Sequence, residues 1–221
     1  NYVTLAKAVA AARAIVGDTV VRNQSFIQAH GSSTPQNRTT ESRVFDQVAR
    51  AFGIEAWPVT AMKAFVGHSL APASADQMIS SLGIFEDEIL PGIKTMDAVA
   101  DDIYGERLHI PVRDLDLTGR ANIAFLNSKG FGGNNATANV LSMRLARAML
   151  LQRHGEKTFK SYESRNEAVA ANANAYDEAC LQGPMEPIYR FGDAMIDENE
   201  ISISDVELKV PGFKQSVSLD L

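Results

Sequence analysis

The chain has 221 residues, 45% hydrophobic and 22% charged, enough apolar side chains for the core of one large domain or two small ones. Its 21 Lys and Arg stand against 27 Asp and Glu, a net charge of −6, and no dense basic block interleaved with aromatics is present, which excludes nucleic acid as an expected partner. A single cysteine leaves no intrachain disulfide framework and no Cys-rich zinc site, and no apolar run approaches the ~20 residues of a membrane span, so a soluble chain of the reducing cytoplasm is expected.

The first residues carry neither a basic signal peptide nor a transit peptide. The chain opens at Asn1 rather than Met, directly before a helical pattern, so a piece of a longer protein is expected. Leu5, Val9, Ala12 and Val16 recur on one helical face, and Gly17 is its stop. Residues 24–29 read as a short strand delivering His30 to its end. Val44, Val48 and Phe52 mark a second helix closed by Gly53. Residues 59–62 read as another strand, followed by Lys63, Gly67 and His68 and then by a helix through Met78, Ile79 and Leu82. Strands are expected at 108–112 and 121–126, the latter joined through GFGGNN to an apolar run at 136–141, as in a hairpin with a glycine-rich tip. Beyond 142 the character changes to helices at 142–154 and roughly 162–181, then β-like runs near 201–210 and 215–221. The reading is α/β: a unit over 1–141 and an appended helical and β extension over 142–221.

Taken singly, each polar residue has an ordinary explanation. His30-Gly31 suits a structural turn, Lys63 a solvated strand end, Glu41 a helix start that complements the dipole, and Gly130, Gly132 and Gly133 a hairpin turn. Their joint placement argues for a site: two histidines and a lysine at the carboxyl ends of neighbouring strands, with a glycine loop able to bring backbone N–H groups to a ligand.

HGSSTPQNRTTE (30–41), KAFVGH (63–68) and NSKGFGGNN (127–135), in that order, resemble the C-terminal half of an elongation-type β-ketoacyl-acyl carrier protein synthase. This condensing-enzyme family reads HGTGT or HGTST with a following acidic residue, then KxxxxGH, then an NSFGFGG-type loop. A thiolase would show GHP and a late CxGxG, and an initiating synthase of the third type a HQAN-like motif; neither fits. The resemblance implies a thiolase-like half, a mixed sheet with helices on both faces. The extension is similar to that of the long, atypical FabY-like synthases, a subclass associated with initiation from an acyl-CoA.

The implied reaction is decarboxylative Claisen condensation of malonyl, carried on the phosphopantetheine of acyl carrier protein, with an acyl group on an enzyme cysteine. His30 and His68 are the implied donors to the enolate oxygen. Lys63 is implied in the catalytic set as a supporting charge, with Glu41 fixing orientation and tautomer. Ser32 and Thr34 match the hydroxyls that hold the pantetheine arm. Gly130, Phe131, Gly132 and Gly133 match the oxyanion and gating loop, Phe131 with an N–H and a ring. The chain itself is expected to bind no cofactor and no metal.

Three positions depart from the pattern. Ser32 replaces a Thr, Arg38 stands where many members carry Asp, and Lys129 stands where an aromatic precedes GFGG. The nucleophilic cysteine is expected in an N-terminal half outside this chain. Cys180, near the end of an alanine-rich helix, lacks the helix N-terminus or neighbouring cation that activates a thiolate. The expected partners are that half, acyl carrier protein and a second copy in a homodimer. Residues 144–165, with six positive charges against Glu156 and Glu163, are a candidate docking face for the acidic carrier. Two other readings remain: a non-catalytic relative serving binding and dimer architecture, and an unrelated small-molecule binding module.

Overall fold

The structure, a computed structural model, describes residues 1–183, 186–193 and 195–220, with Phe131 described in its backbone alone. Contacts divide the chain into two units, Asn1–Phe159 and Lys160–Leu221.

The first unit begins with α1 (Tyr2–Val16), whose Leu5, Val9 and Ala12 are wholly buried, and Gly17 ends it with φ 86. A short α2 (Asp18–Asn23), which the hydrophobic pattern does not announce, leads into β1 (Ser25–Gln28). Next comes α3 (Pro35–Phe52). Thr34 caps it by accepting the Asn37 N–H at 3.3 Å, and Gly53 closes it in the left-handed region. β2 (Trp57–Thr60) stops two residues earlier than expected, because Lys63 opens the single helical turn α4 (Lys63–Val66). α5 (Ala73–Asp87) follows, then the short strands β3 (Ile89–Leu90), β4 (Leu108–His109) and β5 (Leu115–Asp116). β6 (Ile123–Lys129) and β7 (Asn135–Leu141) form the expected glycine-tipped hairpin.

The main sheet has the order β4-β2-β1-β6-β7; the first four strands are parallel and β7 is antiparallel. Parallel strands discharge their carboxyl ends at one edge, so the residues after β1, after β2 and at the end of β6 arrive together. Ile27, Val59, Ile123 and Phe125 face α1 and α3, while Phe26, Ala124 and Leu126 face α5 through Ile84. Helices thus cover both faces, which is why β1 is buried at every position rather than alternating. Trp57 and Phe125 pack edge to face at 5.5 Å, and the indole N–H donates to Ser25 Oγ at 2.9 Å. Each fully buried aromatic or aliphatic side chain of this kind contributes about 1.5–3 kcal/mol.

One stripe of α3 holds the segment 102–107. Arg38, Ser42, Asp46 and Arg50 recur every fourth residue and so share a helical face. Arg38 takes Asp102 in a two-pronged pair at 2.8 and 2.9 Å. Ser42 Oγ accepts the Tyr104 N–H at 3.2 Å, Asp46 accepts the Arg107 N–H at 2.9 Å, and Arg50 pairs with Glu106. The ion pairs are exposed and weak individually. The two backbone N–H bonds are the firmer part of the clasp.

The extension opens with α6 (Met143–Gln182), two helical runs meeting at Gly155, whose φ 74 and ψ 162 are not helical. The break expected somewhere between 154 and 162 is thus one residue. Arg144 donates to Asn122 Oδ1 at 3.0 Å, and the Arg147 guanidinium lies 5.2 Å above the Phe159 ring, so these two charges are already engaged. In the second unit β8 (Ser202–Ile203), β9 (Glu207–Lys209) and β10 (Val217–Ser218) form an antiparallel sheet. Among the described residues no helix is long and apolar enough to cross a membrane.

Candidate active site

His30 lies two residues beyond the end of β1, and the turn there is built by Gly31. Its φ is 55, and a Cβ on it would sit 2.7 Å from that of Ala61, so only glycine fits between the ends of β1 and β2. The turn is anchored by Glu41, which reaches it from the second turn of α3. The carboxylate is 3% exposed, yet its four acceptor positions are filled. Oε1 accepts the His30 N–H at 2.8 Å and Asn127 Nδ2 at 2.6 Å; Oε2 accepts the Gly31 N–H at 3.1 Å and Asn37 Nδ2 at 3.0 Å. Glu41 is therefore the keystone of the first histidine's backbone.

The two imidazoles lie edge to face with centroids 5.5 Å apart. The His30 Nδ1 accepts the Lys129 N–H at 3.3 Å, and the His68 Nδ1 accepts the Leu70 N–H at 3.0 Å. A backbone N–H can only donate, so both Nδ1 atoms are lone-pair acceptors and each neutral ring carries its proton on Nε2. Leu70 makes its bond from the left-handed region, φ 65, a conformation costing a non-glycine residue about 1–2 kcal/mol. The His68 side of the site thus holds a strained turn that serves one ring nitrogen.

Lys63 begins α4 beside the two rings. Its Nζ is buried and has no hydrogen-bond partner among the described residues; it meets Glu41 only through space. The expected role of Glu41 and Lys63 in choosing the histidine tautomer is accordingly filled by other atoms, the backbone N–H groups of residues 129 and 70. Burial holds the Lys63 ammonium below its ordinary value, against the opposing pull of Glu41 and Asp76. Lys63 and His68 line a cavity of about 480 Å³, as do Gly31, Ser32 and Ser33. Its apolar wall includes Met96, Val99 and, from the segment held by α3, Ile103. Ser32 is half-buried at this cavity, whereas Thr34 is exposed and serves as the α3 cap. Gly130, Gly132 and Gly133 are exposed at the hairpin tip and do not line it. The Phe131 ring lies outside the described residues.

Three participants escaped the motif reading. Asn37 and Asn127 serve Glu41, and Gln77 ties β1 to β6 by donating to Ala29 O at 2.8 Å and Asn127 O at 3.2 Å. Asn37 had a signal, its place one helical turn before Glu41. Lys129, which stands where the family pattern has an aromatic, turns to α3 and donates to Asn37 Oδ1 at 2.9 Å and Thr40 Oγ1 at 3.1 Å.

His30 is held below the ordinary histidine value, first by burial, then by the Lys63 charge, with His68 and Lys129 adding to the effect and Glu41 opposing it. An unfolded chain therefore binds a proton at residue 30 more readily than the folded one. The stability associated with neutral His30 is present at neutral pH and is lost as pH falls through the ordinary histidine range. Relative to a His30→Ala variant, the wild-type chain should lose stability to denaturant between about pH 7 and about pH 5. A gain over that interval would reverse the assignment.

Two N–H-bearing imidazoles and a buried ammonium at the carboxyl edge of a parallel sheet define a site suited to a negatively charged oxygen. Residues 5–97 match the family model described as beta-ketoacyl synthase, C-terminal domain. The chain is 57% identical over 215 residues to the beta-ketoacyl-[acyl-carrier-protein] synthase FabY of Pseudomonas aeruginosa, covering 97% of this chain and 34% of that protein. It is 30% identical over 112 residues to 3-oxoacyl-[acyl-carrier-protein] synthase 1 of Escherichia coli K12, covering 51% of this chain and 26% of that one. The crystal structure of the noncanonical ketosynthase FabY from P. aeruginosa matches with a TM-score of 0.90 and 56% identity, over 99% of this chain and 34% of that one. The chain thus spans roughly a third of the length of the FabY protein it matches. It belongs to the β-ketoacyl synthase family, within whose thiolase-like fold it corresponds to a C-terminal half.

Proposed function

We propose that the protein to which this chain belongs is a 3-oxoacyl-acyl carrier protein synthase of fatty acid or polyketide biosynthesis. It condenses malonyl, held on the phosphopantetheine of acyl carrier protein, with an acyl primer. The observation that carries this reading is the pair of imidazoles with both Nδ1 atoms engaged by backbone N–H groups.

In this reading the malonyl C–C bond breaks with loss of carbon dioxide, and its electron pair forms an enolate on the thioester. The Nε2–H groups of His30 and His68 donate to the enolate oxygen. The enolate carbon then attacks the acyl thioester, a C–C bond forms, and the cysteine thiolate leaves. Lys63 keeps the region positive as charge develops. Ser32 and Thr34 hold the pantetheine arm, and the loop Gly130–Gly133 supplies the acyl oxyanion donor and, through Phe131, the gate. The nucleophile belongs to the N-terminal half, so the isolated chain is inactive. Arg153, Lys157, Lys160 and Arg165 remain the charges proposed to meet the acidic carrier. The full-length protein, a cytoplasmic homodimer in this proposal, should release carbon dioxide and 3-oxoacyl carrier from malonyl carrier and primer, and this chain alone should do neither. Carbon dioxide release without a condensed product would reduce the protein to a decarboxylase.

The N-terminal half also explains an apolar surface. Phe65, Val66, Leu70, Met78, Ile79 and Leu82 are all exposed around α4 and α5, with Leu70 at 73% and Ile79 at 69%. Apolar side chains exposed in this number on neighbouring elements mark an interaction surface. By static light scattering the purified chain should self-associate, and adding the N-terminal half should convert it to a defined complex. A monomer indifferent to that half would dismiss the proposal.

A further inference from the structure

We propose that Lys129 is a positioning residue for His30: its ammonium locks the Asn37 amide, and its backbone N–H locks the imidazole, so that Nε2–H stays directed away from the protein framework. This rests on the reading of His30 as a donor to the enolate.

The argument starts from Asn37, whose amide has two chemically opposite ends. Lys129 Nζ carries only donors, and it takes Asn37 Oδ1 at 2.9 Å. The amide NH₂ is thereby turned to Glu41, which it meets at 3.0 Å. Were the amide reversed, its NH₂ would face an ammonium and its oxygen a carboxylate, so two repulsions would replace two bonds. Thr40 Oγ1 at 3.1 Å fixes the ammonium itself. Glu41, so supplied, has its acceptors free for the backbone of His30 and Gly31. Meanwhile the Lys129 N–H engages His30 Nδ1 at 3.3 Å. One residue thus holds the histidine from both sides, its backbone through Asn37 and Glu41 and its ring directly.

The charged or titratable groups facing His30 are Lys63 from α4, His68 from the loop after it, Glu41 from α3 and Lys129 from β6. Three of these oppose protonation of the ring, and Lys129 is the smallest contributor. Beside this charge effect, Lys129 acts on His30 through the hydrogen bonds of its N–H and its ammonium.

In the full-length protein, Lys129→Met keeps the length of the side chain and removes the donor, while Lys129→Arg keeps a donor. Nitrogen-15 spectra of the histidine rings, assigned with a His30→Gln variant, report the hydrogen bonding of His30 Nδ1. In Lys129→Met, which keeps the residue 129 N–H, the His30 backbone loses its anchor through Asn37 and Glu41, so the Nδ1 resonance should move toward that of a nitrogen without a hydrogen bond, and kcat should fall about five- to twentyfold with KM within about twofold. Lys129→Arg should recover most of both. The proposal fails if Lys129→Met leaves the His30 Nδ1 resonance at its wild-type position, whatever happens to kcat, or if Arg and Met lose kcat equally. An active His30→Ala enzyme would instead remove the functional reading on which this one stands.

Discussion

Changing His30 or His68 to Ala in the full-length protein is expected to lower kcat for condensation about 100- to 1000-fold with little change in KM. In the proposed reaction each substitution would delete one of two N–H donors at the oxygen where charge appears only after carbon dioxide leaves. An interaction absent from the ground state affects kcat rather than binding. The two losses should not add, because one donor without the other no longer defines the oxyanion position. His68 offers the cleaner measurement, since it is exposed and its removal leaves the core untouched. If His68→Ala retains more than about a tenth of wild-type kcat, the paired-donor mechanism is wrong.

The largest effect on stability is expected at Glu41. A carboxylate accepts at both oxygens, and here each receives two donors. Glu41→Gln preserves shape but turns one oxygen into an NH₂. In either orientation two of the four donors then face another donor. Asn37 could relieve its own clash only by reversing an amide that Lys129 holds in place. Two buried donors left unpaired cost about 1–3 kcal/mol each, so a loss of roughly 2–6 kcal/mol in urea unfolding is expected. Glu41→Ala should cost no less. A Glu41→Gln chain within about 0.5 kcal/mol of wild type would show that the buried carboxylate is not what holds the His30 turn.

These two sites differ in how far they can be read from the chain. The histidines stand in local patterns: His-Gly after an apolar run and Gly-His before a helical one. Glu41 is named by its distance from His30, but its four partners are not. Asn127 lies in the quoted NSKGFGG segment without any local mark that its amide reaches α3. The clasp of Arg38 on Asp102 joins residues that share no pattern, and the departure at 38 became intelligible only once its partner was placed.

By itself the sequence determined the helices α1 and α3, the strands β1 and β6, the glycine-tipped hairpin and the family resemblance of its three motifs. Periodicity, caps and turn residues act between near neighbours, so the chain states them directly. The single helical turn at Lys63, the kink at Gly155 alone and the direction of Lys129 were decided by tertiary structure. So were both histidine tautomers in their final form, that of His30 most plainly. Its Nδ1 is satisfied by a backbone N–H at residue 129, which reaches it because Gln28 pairs with Leu126 in a parallel register. Strand order and register are settled by the packing of two helical layers on a sheet, a property of the whole core that no short stretch of residues contains.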